Sequence, residues 1–399
     1  MSSLVPIAAR PLARAILAIA ILGIVGPASI AGDEGKSDAS KAAPLDPARL
    51  REHVETLASP EFGGRSGPDA EKSREYLEKE FRRIGLRPLF AGSFRQPVPG
   101  VDPAFIAGEN VGGFLPGSDP ALASEWVILA AHFDHLGRRG STLYPGADDN
   151  ATGVAMMLET ARVMAESPIR PKRSIAFVGF DLEEAGLWGS RYFARESPID
   201  LTSVHLFVTA DMIGRALAGI FERRVFVMGS EHAPEYRSVI EAAARSAPLE
   251  VGILGADVLL VDRSDYGPFR SRNVPFLFFS TGENPHYHKP TDVAATIDYP
   301  KFTAISNLIH AVVRNAADRP DRTLWKSIPE PSIAEARTIR EVFRTMLENR
   351  DRLKINAAQA FLMSRASERL EGILRRGVIT PEERTPIIRV VQGVLATLF

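Results

Sequence analysis

The sequence predicts an α/β protein with a mostly parallel mixed sheet and helices on both faces. Three apolar runs, at residues 126–131, 174–180 and 204–210, have the length and composition of buried strands. Amphipathic helical patterns follow the first two runs, at about 152–165 and after Ala185. Strands that alternate with helices in this way are usually joined by crossover connections, which favours a parallel sheet covered on both faces.

The remaining elements are predicted from local signals along the chain. Asp46 followed by Pro47 marks a helix start, and a second helix covers about 69–84 before Gly85 ends it. Later patterns predict a strand at 225–228, a helix near 234–246, a strand at 275–279 and a helix at 302–316. The alternation of strands and helices therefore continues as far as residue 316.

The N-terminal segment has the pattern of a secretory signal peptide. Arg10 and Arg14 precede a short apolar run, and small residues lead to a predicted cleavage after Ala31. The run is short for spanning a bilayer, although an uncleaved anchor is the alternative. Residues 1–31 therefore predict a secreted or periplasmic protein without stable membrane association after cleavage, and residues 32–45 predict a flexible leader.

The rest of the chain divides into one large domain and a helical extension. Residues 46–318 have the length of a single α/β domain, and the composition changes from residue 319 onward. Pro329 and Pro331 mark a linker, and capping patterns predict three helices before residue 399. The extension is expected to pack on the large domain, with an oligomer contact as the alternative; the sequence indicates no oligomeric state.

Composition excludes several classes of function. The net charge is -1 and the basic residues form no stripe, so nucleic acid is not an expected partner. The chain has no cysteine, which excludes thiolate metal sites, disulfide bonds and cysteine nucleophiles. A metal site in this chain must therefore use nitrogen and oxygen ligands.

Five potential metal ligands occur in short motifs at or just after predicted strand ends, or before a helix. They are His132, Asp149, Glu184, Asp211 and His288. Each motif has an ordinary interpretation alone, such as a turn, a helix cap or a solvated acidic patch. The carboxyl ends of strands in an open α/β sheet meet at one edge, however, where ligands bind. Two imidazoles and three carboxylates gathered there suit a pair of zinc-like divalent ions.

Together the motifs resemble those of the secreted dinuclear zinc aminopeptidases, a family that also holds glutamate carboxypeptidase and glutaminyl cyclase. The resemblance extends over about residues 46–316, which makes the large domain a metallopeptidase catalytic domain by expectation. The matching stretches are Ala130–Gly137, Pro145–Gly153, Arg173–Ser190, Thr209–Gly214 and Asn284–His288.

The resemblance implies a role for each ligand and two Zn²⁺ ions per chain, with Co²⁺ or Mn²⁺ as other possible occupants. Asp149 would bridge the ions, Glu184 and His288 would complete one site, and His132 and Asp211 the other. Asp134 would hold the far nitrogen of the His132 ring. The family also implies a cis peptide bond after the bridging aspartate, here between Asp149 and Asn150.

The implied reaction is amide hydrolysis by an exopeptidase, most simply an aminopeptidase that removes N-terminal residues from peptides. Glu183 would act as general base and acid, and Tyr287 would donate a hydrogen bond to the oxyanion unless it only packs as a lid. A carboxypeptidase of the glutamate-removing kind and a non-catalytic binding module on the same fold are the alternatives. His135 and His286 lie near predicted ligands, and Tyr266 replaces a family histidine beside the substrate pocket.

Overall fold

The computed structural model describes residues 43–245 and 247–398. The predicted signal peptide and nearly all of the predicted leader, residues 1–42, lie outside the described residues. Within the described ranges, no helix combines the length and the apolar character that a membrane crossing requires.

The strands in chain order are β1 (Arg87–Pro88), β2 (Arg95–Pro99), β3 (Ile106–Leu115), β4 (Trp126–His132), β5 (Arg138–Arg139), β6 (Thr142–Leu143), β7 (Ser174–Phe180), β8 (Val204–Ala210), β9 (Arg224–Met228), β10 (Glu250–Leu254) and β11 (Phe276–Ser280). The helices are α1 (Pro47–Leu57), α2 (Ala70–Ile84), α3 (Thr152–Glu166), α4 (Trp188–Arg195), α5 (Tyr236–Ala244), α6 (Gly267–Arg270), α7 (Tyr299–Asp318), α8 (Ile333–Glu348), α9 (Ala357–Arg376) and α10 (Pro381–Leu398).

The main sheet is mixed, with a parallel centre and antiparallel margins. Its strand order is β1-β3-β7-β4-β8-β11-β9-β10, and β2 also pairs with β3. Strands β7, β4, β8 and β11 run parallel to one another, whereas β3 is antiparallel to β7 and β9 is antiparallel to β11. The predicted fold class is therefore confirmed.

The predicted apolar strands are present with small shifts at their ends. Strands β7 and β8 have the predicted bounds, and β4 continues one residue further to His132. The sequence prediction missed β1, β2, β3 and β10, which lie toward the margins of the sheet. Glycines at 108, 112 and 113 interrupt the apolar pattern of β3, so its pairing with β7 is not visible in the residue order.

Both faces of the sheet are buried, and successive residues of a central strand enter different cores. In β4, Val127 and Leu129 contact the core beneath α1, α2, α3, α5 and α7. Ile128 and Ala130 contact the opposite core, beneath α4, α6 and the C-terminal helices. This alternation follows from the two-residue repeat of a strand and explains why the central strands are apolar throughout.

The C-terminal helices α8–α10 pack on the sheet and belong to the same compact unit. Ile339 and Phe343 of α8 share a core with Phe226 of β9, and Ile387 of α10 joins them. Ser332 caps α8 by accepting hydrogen bonds from two main-chain N–H groups, as its capping pattern predicted. The expected packing of the extension is thus present, while the predicted domain boundary at residue 318 stays a prediction.

Candidate metal centre

The predicted ligands lie at one edge of the sheet because four of them follow parallel strands. His132 is the last residue of β4, Glu184 follows β7, Asp211 directly follows β8 and His288 lies in the loop after β11. Asp149 joins them from the segment that precedes α3. The structure therefore brings all five residues together, although their assignment as metal ligands stays a prediction.

Asp149 stands between two groups of side chains. Its Oδ1 lies 3.5 Å from Nε2 of His132, and that same nitrogen lies 3.4 Å from Oδ1 of Asp211. Its Oδ2 lies 3.2 Å from Nε2 of His288, which is 3.1 Å from Oε2 of Glu184. The two oxygens of one carboxylate thus face the two predicted sites, which is the geometry expected of a bridging ligand.

The donor atoms fit a divalent metal such as zinc. Nε2 of His132 and Oδ1 of Asp211 are buried, and neither has a hydrogen-bond partner among the described residues. A buried polar atom without a partner is costly, so these atoms need either an ion or water. Imidazole nitrogen and carboxylate oxygen are ordinary zinc ligands. Two groups of three such donors lie within 4.8 Å of one another: His132, Glu183 and Asp211 form one group, and His135, Asp149 and Glu184 form the other. Four of the five predicted ligands are therefore in these groups, together with Glu183 and His135.

The electrostatics of the site also favour bound cations. Burial raises the pKa of Asp149, with neighbouring His135 and His288 opposing the rise and other carboxylates adding to it. Burial also raises the pKa of Glu183 well above its usual range. The His288 ring loses hydration, yet its contacts with Asp149 and Glu184 raise its pKa to about 10. Clustered buried carboxylates are stabilised by positive charge, which divalent ions would supply.

Comparison with known proteins identifies the family. The sequence pattern of peptidase family M28 matches residues 110–313, about half of the chain. The chain belongs to peptidase family M28. The predicted resemblance is therefore confirmed, and the matched region includes all five predicted ligands and Glu183.

Curated relatives are similar to this chain over part of their length. Aminopeptidase YwaD of Bacillus subtilis is 26% identical over 222 residues, which are 54% of this chain and 46% of that protein. Leupeptin-inactivating enzyme 1 of Streptomyces exfoliatus is 24% identical over 265 residues, covering 65% of this chain and 56% of that protein. The chain thus spans about half the length of these relatives.

Solved structures have the same fold. The aminopeptidase from Aneurinibacillus sp. strain AM-1 superposes with a TM-score of 0.57 at 16% identity, covering 74% of this chain and 99% of that one. A Zn-dependent exopeptidase from Parabacteroides distasonis superposes with a TM-score of 0.56 at 21% identity, covering 69% of this chain and 99% of that one. In both superpositions, a substantial part of this chain lies outside the shared fold.

Asp134 connects two ligand motifs of the M28 site in a way that differs from the expected contact. Its carboxylate accepts hydrogen bonds from the main-chain N–H groups of Glu183 and Glu184, at 3.0 and 3.2 Å. Its Oδ1 lies 3.6 Å from Nδ1 of His132, and the nearer partner of that nitrogen is the Asp134 main-chain oxygen at 3.3 Å. Asp134 therefore orients both glutamates as well as the histidine.

The sequence prediction missed Arg65, whose fully buried guanidinium joins two ligand loops. Nε donates to the main-chain oxygen of Phe133 at 2.7 Å, directly after His132. The two Nη atoms donate to the oxygens of Leu57, Pro145, Gly146 and Asp149. The glycine-flanked position of Arg65 suggests a turn, but nothing in the sequence indicates that the side chain enters the core.

A second buried network holds the segment that carries Asp149. Asp292 accepts hydrogen bonds from the main-chain N–H groups of Asp148 and Asp149 at 2.9 and 3.2 Å. Arg215 donates to Asp292 at 2.5 Å, and Asn284 donates to Asp148 at 3.0 Å. These bonds tie the Asp149 segment to the loops that follow β8 and β11. The peptide bond from Asp149 to Asn150 is cis, as the family resemblance implies.

Two neighbours of the ligands occupy different positions. His135 is buried, and its Nδ1 lies 2.8 Å from Oε1 of Glu184. His286 instead contacts Thr291 through its ring, at 3.0 Å. His135 therefore contacts a predicted ligand, whereas the ring of His286 contacts Thr291.

Tyr287 and Tyr266 have distinct surroundings. The ring of Tyr287 stacks on His288 with centroids 3.8 Å apart, and the residue lines the cavity at the site. Burial raises the pKa of Tyr287, so its phenol is protonated at neutral pH and can donate a hydrogen bond. Tyr266 is buried between Phe276 and Phe278 and stacks on both rings. Tyr266 therefore belongs to the core. The position of Tyr287 is compatible with both of its predicted roles, hydrogen-bond donor to the oxyanion and aromatic lid.

Proposed function

We propose that this chain is a zinc-dependent aminopeptidase that removes N-terminal residues from peptides, with two ions held by the predicted ligands. The arrangement that carries the proposal is the Asp149 carboxylate, whose two oxygens face His132 and His288 separately. Membership of peptidase family M28 supports a metal-dependent hydrolase. The names of several relatives, including the Bacillus subtilis aminopeptidase, support the choice of an aminopeptidase.

In the proposed reaction, Glu183 moves the proton. Its carboxylate oxygen lies within 4.8 Å of donor atoms of His132 and Asp211, and the residue lines the open cavity. Bound divalent ions would polarise the amide carbonyl and lower the pKa of a water molecule. Glu183 accepts a proton from the attacking water and then donates it to the departing amine.

Tyr287 completes the proposed set by donating to the oxygen of the scissile carbonyl. Its phenol keeps its proton at neutral pH, and stacking on His288 fixes the plane of the ring. A hydrogen bond of this kind stabilises the charge that develops in the transition state. Tyr287→Phe removes this hydrogen bond, so its kcat should fall relative to wild type, and an unchanged kcat would leave Tyr287 as a lid only.

The cavity favours an aminopeptidase over a glutamate-removing carboxypeptidase. Among the described residues that line it, the guanidinium is that of Arg263, which pairs with Glu283 at 2.5 Å. A substrate carboxylate would have to compete with that ion pair. We further propose that the chain acts outside the cytoplasm, because residues 1–31 have the pattern of a signal peptide.

The direct test uses matched peptides with free or acetylated N-termini, incubated with the zinc-loaded protein and analysed by mass spectrometry. We expect stepwise loss of residues from free N-termini only, abolished by a chelator and restored by Zn²⁺. Loss from the C-terminus would replace the proposal with a carboxypeptidase. No cleavage of any peptide after zinc is restored would favour the non-catalytic binding module.

A further inference from the structure

A single cavity connects the candidate metal centre with the C-terminal helices. It has a volume of about 340 Å³, and Asp149, Glu183, Asp211 and His288 lie at one end. We call this space the chamber. Its other end is lined by residues of α8 and α10, which lie beyond the region that matches the family. The chamber is therefore built from the shared catalytic fold together with a segment particular to this chain.

The wall away from the metal centre is apolar. Strands β9 and β11 contribute Phe226 and Phe278, α8 contributes Val342 and Phe343, and α10 contributes Leu395. Charged side chains of the lining belong to the metal centre or to the pair between Arg263 and Glu283. A charged substituent that entered the far part of the chamber would lose its hydration without gaining a partner among the described lining residues.

The chamber exceeds the size of one ordinary aromatic side chain. An enclosed apolar cavity of about 150 Å³ is sufficient to hold a benzene molecule, and the chamber has about 340 Å³. Its mouth is also apolar, because Leu260 and Val261 line it while remaining 66% and 63% exposed. Exposed apolar residues at the entrance of an apolar cavity are typical of a binding surface for an apolar group.

The far wall is held in place by an ion-pair network in which Arg384 and Glu335 are buried and Asp257 is partly exposed. Arg384 of α10 donates to Glu335 of α8 at 2.6 Å and to both carboxylate oxygens of Asp257 at 2.6 and 2.7 Å. Glu335 also accepts a hydrogen bond from the main-chain N–H of Gly255 at 2.8 Å. These contacts fix α8, α10 and the loop before Val258 relative to one another, so the wall has a defined shape.

We propose that the C-terminal helices determine the substrate class. The substrates are peptides whose N-terminal residue, which precedes the scissile amide, carries a large, uncharged, apolar side chain. This side chain can be longer than that of phenylalanine. The side chain occupies the chamber and contacts α8 and α10 while the amide lies at the metal centre. This inference rests on the proposed function, because it assigns the substrate of that same site.

The first measurement compares aminoacyl p-nitroanilides of alanine, leucine, phenylalanine and 2-aminooctanoic acid on the zinc-loaded full chain. We expect kcat/KM to rise about fourfold for each added methylene, since each one leaves water for an apolar wall. The 2-aminooctanoyl substrate should be the best of the four, and the lysyl analogue should be among the poorest. A series that peaks at alanine would overturn the inference.

Two matched variants locate the effect on α8. Val342→Phe adds a ring inside the chamber, whereas Arg344→Phe adds the same ring on the exposed side of the helix. We expect Val342→Phe to lower the ratio of kcat/KM for 2-aminooctanoyl p-nitroanilide to kcat/KM for the alanyl substrate at least tenfold, because the added ring takes space that the alanyl side chain does not need. Arg344→Phe should match wild type on both. Equal losses on both substrates, or no loss on either, would contradict the inference.

A binding measurement separates this inference from the proposed function. Calorimetric titration with 2-aminooctanoic acid and alanine, on folded protein checked by circular dichroism, needs no turnover. We expect wild type to bind 2-aminooctanoic acid at least tenfold more tightly than alanine, and Val342→Phe to lose that preference. If no substrate is hydrolysed but this preference is present, the proposed function fails and the chamber assignment stands. Equal affinity for both amino acids would refute the assignment.

Discussion

At the scale of single residues, the site depends on side chains that each serve two partners. Asp149 faces two histidines, Asp134 orients two glutamates, and Arg65 joins two loops. Shared partners make the positions of the ligands interdependent. Substitution of one such residue is therefore expected to affect metal binding as well as the local contact that is removed.

Replacement of Glu183 tests the proposed proton transfer. Glu183→Gln keeps the size of the side chain but removes its ability to accept a proton, so kcat should fall about 10²- to 10⁴-fold. Zinc content, measured by atomic absorption, should stay at the wild-type value because Glu183 is not among the predicted ligands. The exposed Glu222→Gln is the control and should retain full activity. Unchanged turnover in Glu183→Gln would remove Glu183 from the mechanism.

Replacement of His132 tests the two-ion assignment. His132→Ala should lower the zinc content from two ions to one per chain, because Asp149, Glu184 and His288 keep the other site. The control is His310→Ala, which removes a buried histidine of α7 outside the site. Zinc content measured after dialysis checks both variants. An unchanged content in His132→Ala would show that this histidine is not a ligand.

Replacement of Arg65 tests the link between the ligand loops. Arg65→Met leaves five main-chain oxygens without the donor that now serves them, so the free energy of unfolding should fall by about 3–5 kcal/mol. Zinc affinity should also fall about 10- to 100-fold, because both loops carry ligands.

Urea unfolding and competition with a zinc chelator measure the two effects of Arg65→Met separately. Arg65→Lys should rescue little of either, since an ammonium group lacks the planar arrangement of donors. Wild-type zinc affinity in a folded Arg65→Met protein would limit Arg65 to a role in stability.

At the scale of secondary-structure elements, the sequence predicts best what depends on local pattern. The central strands β7 and β8 are continuous apolar runs, so their bounds are visible in the residue order. The convergence of the five predicted ligands could be foreseen because four of them lie at or after the ends of strands and Asp149 lies before a helix. Strand β3 was not predicted, because its glycines disturb the pattern and its partner β7 is distant in sequence.

The contacts among helices were also beyond reach from the sequence alone. Arg384 and Asp257 are separated by more than a hundred residues, and neither lies in a recognisable motif. The same is true of the chamber, whose lining comes from the sheet, several loops and two C-terminal helices. Apolar faces on α8 and α10 predict burial but do not identify the surface that buries them.

Replacement of Arg384 tests the attachment of α10. Arg384→Met removes the partner of Glu335, which is buried, and of Asp257, which is partly exposed, so stability should fall by about 3 kcal/mol. Arg389→Met, at an exposed position of the same helix, should change stability by about 0.5 kcal/mol or less. Urea unfolding followed by fluorescence measures both values.

A double variant distinguishes the ion pair from simple packing. Arg384→Met combined with Glu335→Met should be more stable than Arg384→Met alone, because it no longer contains a buried carboxylate without its cation. If the two losses were simply additive, the interaction between Arg384 and Glu335 would not account for the attachment.

At the scale of the whole molecule, buried neutral histidines should make the fold sensitive to acid. Burial, with a contribution from Arg314, lowers the pKa of His310 to about 4. Burial and nearby arginines lower the pKa of His205 to about 3. Below pH 6.5 these two histidines bind protons in the unfolded chain but not in the folded chain, so the stability that they contribute falls as the pH falls toward those values.

Replacement of His310 isolates one part of that dependence. Each histidine contributes about 1.4 kcal/mol of lost stability per pH unit while only the unfolded state is protonated. His310→Leu should therefore have a pH dependence shallower by about that amount between about pH 6 and 4.5. Urea unfolding in the presence of a chelator measures it without interference from metal release. Parallel curves for wild type and His310→Leu would exclude this contribution.

The position of α8–α10 after the sheet in chain order affects how this fold is made. All strands of the sheet leave the ribosome before these helices, since synthesis proceeds from the N-terminus. Until then, the sheet face that carries Phe226 and Phe278 has no cover from α8 and α10. A nascent or prematurely terminated chain would present that face to chaperones or to other nascent chains. Synthesis of α8–α10 is thus a condition for covering this sheet face as well as for building the far wall of the chamber.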